Sequence, residues 1–171
     1  ATNWDFNNLT IGGDGVTETT TALGGGSHTV AGTLTVGANQ TLDAGSKTWI
    51  LSAAGTPLTR TGTFTGNGST VTYTSGTGVT ALASAAMTGA NAFNHLTING
   101  TGTFTAGVDV TLGGDLTMTA GTLAGANNIT VNGGDVTGDG DINLTGGTFT
   151  LEGATATGFG GATNWDFNNL I

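Results

Sequence analysis

Apolar residues in the second half of the chain recur every six or seven positions, and no other feature narrows the fold as far. The triplets Leu96-Thr97-Ile98, Val110-Thr111-Leu112, Leu116-Thr117-Met118 and Ile129-Thr130-Val131 follow one another, and Ile142-Asn143-Leu144 keeps the form with Asn at its centre. Phe104, Leu123, Val136 and Phe149 fill the gaps. Such a step is too short for a helix-turn-helix repeat and fits one short strand plus a corner. Three steps close a coil, and the spacings from Leu96 to Leu116 and from Phe104 to Leu123 put that coil at about 19–20 residues. The first half carries a looser series through Val16, Leu23, Val30, Thr35, Leu42, Ile50, Leu58, Phe64, Thr72 and Val79. Strand side chains alternate between faces, so the outer residues of each triplet point inward and the central Thr points out. The expected fold is all-β: a parallel β-solenoid, roughly triangular, forming one solenoid segment over residues 1–171. Gly113-Gly114, Gly133-Gly134 and Gly146-Gly147 are expected at corners, where positive φ is needed. An antiparallel sandwich is the competing all-β fold, but its strands usually run about five to six residues with turns about every 8–12. The segments here are shorter and more regular.

Composition agrees. Thr and Val favour strands and the 33 Gly favour turns, while the Glu, Lys, Arg, Leu and Ala that long helices need in periodic order are not supplied. The regular apolar spacing argues against low-complexity disorder, because a chain that buries no apolar surface has no reason to pattern it. The formal charge is −9 and the only basic side chains besides histidine are Lys47 and Arg60. Counterion release needs clustered Lys and Arg, so no nucleic-acid partner is expected, and the same shortage argues against anionic membrane surfaces. No apolar run is long enough for a membrane span. There is no Cys, which removes disulfides, thiolate metal sites and a Cys nucleophile. The chain begins inside a repeat motif with no signal peptide, so it reads as a mature product or an excised piece.

The longest internal repeat is ATNWDFNNL, found at Ala1–Leu9 and again at Ala162–Leu170. Residues 162–170 therefore read as the start of a second 161-residue period. A weaker copy, FNHLTI at Phe93–Ile98, answers FNNLTI at Phe6–Ile11 and divides the period into halves of about 6–92 and 93–166. Asn91 stands where the first copy has Trp4. The aromatic residues Trp4, Phe6, Phe93, Trp165 and Phe167 are the candidate junction and self-association residues, either as a wide core layer or as a plug sealing one repeat against the next.

FNNLTI, followed by runs such as VDVTLGGDLTMTAGTLAG, resembles repeats of large bacterial surface and secreted proteins, namely the β-helical passenger stems of autotransporter-type adhesins and related filamentous surface repeats. The resemblance spans nearly the whole chain. It implies a right-handed parallel β-helix, export to the cell surface or medium, and a role as stalk, fibre or adhesin. It carries over no catalytic residues. The regular 161-residue recurrence with aromatic residues at the joint is tidier than most stems and favours a regular filament.

Other candidate sites are weaker. Asp135, Asp139 and Asp141 with Gly140 occupy positions 1, 5, 7 and 6 of an EF-hand-like calcium loop, but Gly146 at position 12 offers no carboxylate. His28 and His95 have no ligand spacing and are expected as exposed corner residues. No Ser lies in a nucleophile-elbow motif, and two basic residues cannot build the cationic cluster of a polysaccharide lyase. No enzymatic activity, metal or cofactor is expected. The Thr-x-Thr pairs Thr33/Thr35, Thr63/Thr65, Thr103/Thr105 and Thr117/Thr119 would suit ice binding only if stacked on one side, and their positions drift among faces. The expected function is a structural repeat of an extracellular or cell-surface fibre whose partner is another copy of itself. An adhesin segment contacting a surface glycan and an ice-binding solenoid are the alternatives.

Overall fold

A computed structural model describes residues 3–12, 15–24, 26–153 and 158–171. It is a parallel β-solenoid of about seven turns with about 22 residues per turn. The first three coils each contribute three short strands: β1 (Trp4–Phe6), β2 (Leu9–Ile11) and β3 (Glu18–Thr21); β4 (His28–Val30), β5 (Leu34–Val36) and β6 (Gln40–Asp43); β7 (Thr48–Leu51), β8 (Leu58–Arg60) and β9 (Thr63–Thr65). The fourth coil holds β10 (Thr70–Tyr73), β11 (Val79–Ala81) and a single 3₁₀ turn at Gly89–Asn91. In the later coils β12 (His95–Ala106) and β14 (Leu116–Gly125) each run through two faces, and β13 (Val110–Leu112) and β15 (Ile129–Asn132) supply the third. β16 (Val136–Gly138), β17 (Asp141–Leu144), β18 (Phe149–Glu152), β19 (Phe159–Gly161) and β20 (Trp165–Asp166) complete the rod.

Every strand pairing among the described residues is parallel, each strand lying on its counterpart one coil away. On the continuous first face, Trp4, His28, Trp49, Val71, Leu96, Leu116, Val136 and Phe159 form one column, so the step from each to the next is the length of one coil. The two shortest steps are Leu96 to Leu116 and Leu116 to Val136, and the longest is Val71 to Leu96. The expected coil of about 19–20 residues is thus close to the spacing of the regular stretch from Leu96 to Val136. Elsewhere the corners are longer, so the period holds about seven coils and not the roughly eight that a 19–20-residue coil would give over 161 residues. The inward–outward rule follows the triplets. Leu34 and Val36 are buried around half-buried Thr35, and Val110 and Leu112 around Thr111, so one apolar core runs the length of the rod.

Corner backbone, which has no strand partner, is served by polar side chains of the preceding coil. The Asn8 side-chain carbonyl accepts the Thr33 N–H at 2.8 Å, Asp109 the Asn128 N–H at 2.9 Å, and Asn128 the Thr148 N–H at 3.0 Å. Asp115 takes the Asp135 N–H at 2.9 Å and Asp135 the Gly158 N–H at 2.8 Å. These bonds are exposed or part-buried, so each contributes about 1 kcal/mol or less, but together they tie each corner to the next and give Asn and Asp a structural reason to stand there. The paired glycines divide by cause. Gly133 and Gly147 have the expected positive φ, of 85° and 66°. Gly134 does not; its Cβ would lie 2.2 Å from the Gly114 carbonyl carbon of the coil beneath.

The cross-section changes in the fourth coil. Thr80 of β11 bridges Gly55 in the corner after β7 and so starts a new second face, continued by the later halves of β12 and β14 and by β17 and β20. Met87 pairs with Val110 and Phe93 with Leu112, so the faces of β2-β5-β8 and β3-β6-β9 give way to the single face β13-β15-β18. Arg60 holds this changeover. Its guanidinium donates to the Gly62 carbonyl at 3.0 Å and to the Ala86 carbonyl, and its backbone N–H donates to Ser84 Oγ at 3.0 Å. Asn91 accepts the Phe64 N–H at 3.0 Å.

Candidate self-association site

The two ends of the rod carry its exposed apolar surface. Among the described residues, seven large hydrophobic side chains are exposed, and all but Val79 belong to the first or last coil: Trp4 (55%), Val16, Leu23 (71%), Phe159 (47%), Leu170 and Ile171. The end layers of a solenoid have a neighbour on one side only, so side chains that face the core there are partly exposed. At the first end β1, β2 and β3 are the terminal strands of their sheets, each with one edge that no strand among the described residues pairs. Trp4, Phe6, Leu9, Ile11 and Leu23 surround an apolar cavity of about 300 Å³ floored by Leu42 and Trp49. The Trp4 ring stands edge-on to Phe6 at 6.4 Å and to His28 at 5.6 Å, and His28 lies on Trp49 at 4.7 Å.

At the other end the second ATNWDFNNL copy forms the last layer. Trp165 pairs with Ile142, Asp166 with Asn143, and Leu170 bridges Phe149. The Trp165 ring sits edge-on to Phe159 at 5.5 Å, and Phe167 packs on Phe149 at 5.0 Å and on Phe159 at 5.9 Å. The indole N–H of Trp165 donates to the Gly140 carbonyl at 2.9 Å and the Asn168 amide to that of Gly147 at 3.0 Å. The motif is therefore seen from both sides: the first copy with a coil above it, the second with a coil below. Its hydrogen-bonding groups divide accordingly. Upward, Trp4 N–H donates to the Ser27 carbonyl and Leu9 N–H to that of Thr33, both at 3.0 Å. Downward, the Asn169 carbonyl accepts the Phe149 N–H at 2.9 Å and Ile171 N–H donates to the Phe149 carbonyl at 3.0 Å. Asn169 and Ile171 correspond to positions 8 and 10 of the first copy, so the two sets do not compete. Ala1 and Thr2 lie outside the described residues.

The third aromatic candidate is placed differently. Phe93 is buried in mid-rod, edge-on to Phe64 at 5.8 Å. The three related motifs share a local shape, Phe before a corner and Leu after it, but not a position in the coil. Leu9 opens the β2 face, Leu96 lies on the first face and Leu170 on that of β13-β15-β18. The column of Trp4 is met again at Phe159, and Trp165 stands one face further round.

His28 is not an exposed corner residue. It is 4% exposed, and both ring nitrogens are buried without a hydrogen-bond partner. The reason is its triplet: His28-Thr29-Val30 has the inward–outward–inward form of Leu34-Thr35-Val36, with imidazole in an apolar slot. Burial, with a smaller contribution from the nearby Lys47 charge, holds its pKa below the usual value of about 6.5. The unfolded chain then binds the proton more readily, so stability is full above about pH 6.5 and falls as the pH drops below it. Denaturant titrations at about pH 7.5 and 5.5 should show this loss in the native chain, and a smaller one in His28→Leu, whose neutral-pH midpoint rises because no orphan nitrogen remains. An equal loss in both would assign it to other groups. His95 is half-exposed, but it is the first residue of β12 and not part of a corner, with Nδ1 accepting the Asp115 N–H at 3.0 Å.

The remaining candidates are dispersed. The Asp135 carboxylate is engaged by Gly158 N–H, and among the described residues no group of three or more His, Cys, Asp or Glu is placed to share a metal ion. Lys47 donates to the Gly24 carbonyl. Of the Thr-x-Thr pairs, Thr63/Thr65 belongs to β9, Thr103/Thr105 to the second half of β12 and Thr117/Thr119 to the first half of β14, on separate faces. The longest Thr file among the described residues, Thr72, Thr97, Thr117 and Thr137, runs beside His95, Asp115 and Asp135, not beside a second Thr file. No protein-family model, curated protein or solved structure matches this chain.

Proposed function

We propose that the chain is a rod-forming repeat of an extracellular or cell-surface fibre, in the manner of the bacterial surface stems its repeats resemble, and that its work is mechanical. One observation carries this reading: the sequence that forms the open first coil also forms the last coil, seated on β17 and β18 with the coil-to-coil pairing used throughout the rod. Joining the two views gives a continuous column of Ile142, Trp, His28 and Trp49 across the joint. A solenoid built this way takes its stability from neighbour-on-neighbour contacts, so it extends without a new kind of interface and without open edges except at its tips. Because Trp165 lies one face beyond the column of Trp4, successive periods are also turned by one face about the axis.

The test is length. Proteins carrying one, two and three tandem 161-residue periods, imaged by electron microscopy or measured by small-angle scattering, should be rods that lengthen by about 35 Å per period, seven and one-third coils at about 4.8 Å per coil. Rods of unchanged length with growing thickness, or beads joined by flexible linkers, would refute it.

A further inference from the structure

Asn is followed by Gly three times in the chain, at Asn67-Gly68, Asn99-Gly100 and Asn132-Gly133. In such a pair the backbone nitrogen of Gly can reach the Asn side-chain amide, because no Cβ stands in the way. The fold treats the three pairs differently. Asn99 lies inside β12 and pairs with Ala120, and Gly100 is buried, so close to the coil beneath that a Cβ there would lie 2.0 Å from the Ser75 carbonyl oxygen. Asn132 pairs with Glu152, and Gly133 N–H donates to the Glu152 carbonyl. Asn67 and Gly68 instead form the exposed tip of the turn between β9 and β10. Their φ values are 44° and 119°, and the turn is closed by Ser69 N–H donating to the Gly66 carbonyl at 2.8 Å. Gly68 N–H makes no hydrogen bond among the described residues.

We propose that Asn67 is a site of spontaneous modification, where the folded chain converts its side-chain amide to a carboxylate with water as the only co-reactant. The Gly68 backbone nitrogen loses its proton and attacks Cγ of Asn67. The new N–Cγ bond closes a succinimide ring, the Cγ–Nδ2 bond breaks, and ammonia leaves with the proton. Water then opens the ring. Cleavage at Cγ leaves aspartate at position 67, and cleavage at the main-chain carbonyl leaves isoaspartate, with one more carbon in the backbone. The attack needs only a rearrangement within an exposed turn held by one bond. At Asn99 and Asn132 it needs two coils to part first, and strand-paired backbone opens far more rarely than an exposed turn. The site lies on the flank of the third coil, away from the joint between periods, and is the same whether or not the chain builds a fibre.

The position of Asn67 makes the change consequential. Its Nδ2 donates to Oδ1 of Asp43, one coil below, at 2.6 Å, and the same oxygen accepts the Gly45 N–H at 2.9 Å. The product has no donor to offer Asp43. It sets a second carboxylate against the first, so a bond that tied the second coil to the third becomes a like-charge contact. Modification therefore loosens one corner of the rod and adds one negative charge to the chain.

Two measurements test this. The folded chain is held in mildly alkaline buffer, and peptide mapping by mass spectrometry follows the conversion of amide to acid at each Asn-Gly pair. Asn67 should run at least about tenfold ahead of Asn99 and Asn132, a gap that an opening cost of only about 1.4 kcal/mol at the two paired sites produces. In urea, with the coils undone, the three rates should converge. An Asn67 that stays unconverted, an Asn99 or Asn132 that keeps pace with it in the folded chain, or an order that persists in urea overturns the proposal. For the consequence, Asn67→Asp should melt below the native chain, and Asp43→Asn/Asn67→Asp, which exchanges donor and acceptor, should recover most of the loss. A double variant that melts no higher than Asn67→Asp would show that the carboxylates do not meet, and would remove the loosening of the corner.

Discussion

Replacing Gly134 by alanine is expected to cost at least about 3 kcal/mol, at the upper end of what a single added methyl does to a packed protein. The added Cβ would lie 2.2 Å from the carbonyl carbon of Gly114, 2.4 Å from its oxygen and 2.5 Å from the nitrogen of Asp115. All three are backbone atoms, so no side chain can turn away. Relief must come from parting two coils at the corner where the Asp115 side chain accepts the Asp135 N–H. Gly107→Ala is the matching control, because nothing lies within 4 Å of its added Cβ and its φ is not in the left-handed region. There the change should be neutral or stabilise by up to about 1 kcal/mol through the unfolded chain. Equilibrium urea unfolding of the two variants measures both. Equal stabilities would mean that the coils are not in contact at Gly134.

Phe104→Ala is expected to cost about 3–5 kcal/mol, the range for deleting a fully buried aromatic ring. Phe104 has no exposed surface, stands edge-on to Tyr73 at 6.2 Å, and pairs with Leu123 above and Thr80 below. Its site is where the new second face begins, so the ring joins the first-half coils to those after the changeover. The loss should therefore appear as reduced cooperativity as well as reduced stability. In a stack held by nearest-neighbour contacts, weakening one central layer lets the two sides melt separately. A calorimetric transition that splits or broadens in Phe104→Ala, and stays single in an outward change such as Thr130→Ala, is the expected result. A loss below about 1 kcal/mol with a single sharp transition would mean that the core does not run through this layer.

What the sequence revealed and what it hid follow from one asymmetry: burial constrains strands, and nothing comparable constrains corners. Triplets such as Val110-Thr111-Leu112 announce their geometry because two side chains must enter the core and one must leave it. The second half, where coils are short and uniform, is legible on that basis. In the first half, corners such as residues 52–57 lengthen without a large apolar residue to mark them, and the count of coils drifts. Val16, Leu23 and Val79 fall in step with the series but are exposed, and Ile50 faces out between the inward Trp49 and Leu51. His28 was legible as a triplet member but not by residue type. Phe93 shows the same limit at the level of motifs: FNHLTI specifies a strand end, a corner and a strand, but the length of chain before it decides which face it occupies. The aromatic segments at the rod ends were visible as a repeat. Their receiving residues Ile142, Phe149 and Phe159 were not, because pairing across coils depends on the corner lengths in between.

The central claim is that successive coils stack in parallel along one axis, and distances down the first face test it most directly. Asp5, Thr29, Thr72 and Thr137 lie in one outward file, and the absence of Cys lets spin labels be placed there singly or in pairs. Measured from Thr137 by pulsed dipolar spectroscopy, the label at Thr72 should stand about 14 Å away, that at Thr29 about 24 Å and that at Asp5 about 29 Å, at about 4.8 Å for each of three, five and six coils. Distances that fail to grow in this order, or that bring Asp5 closer to Thr137 than Thr72 is, would contradict the stacked coil and with it the joint between periods.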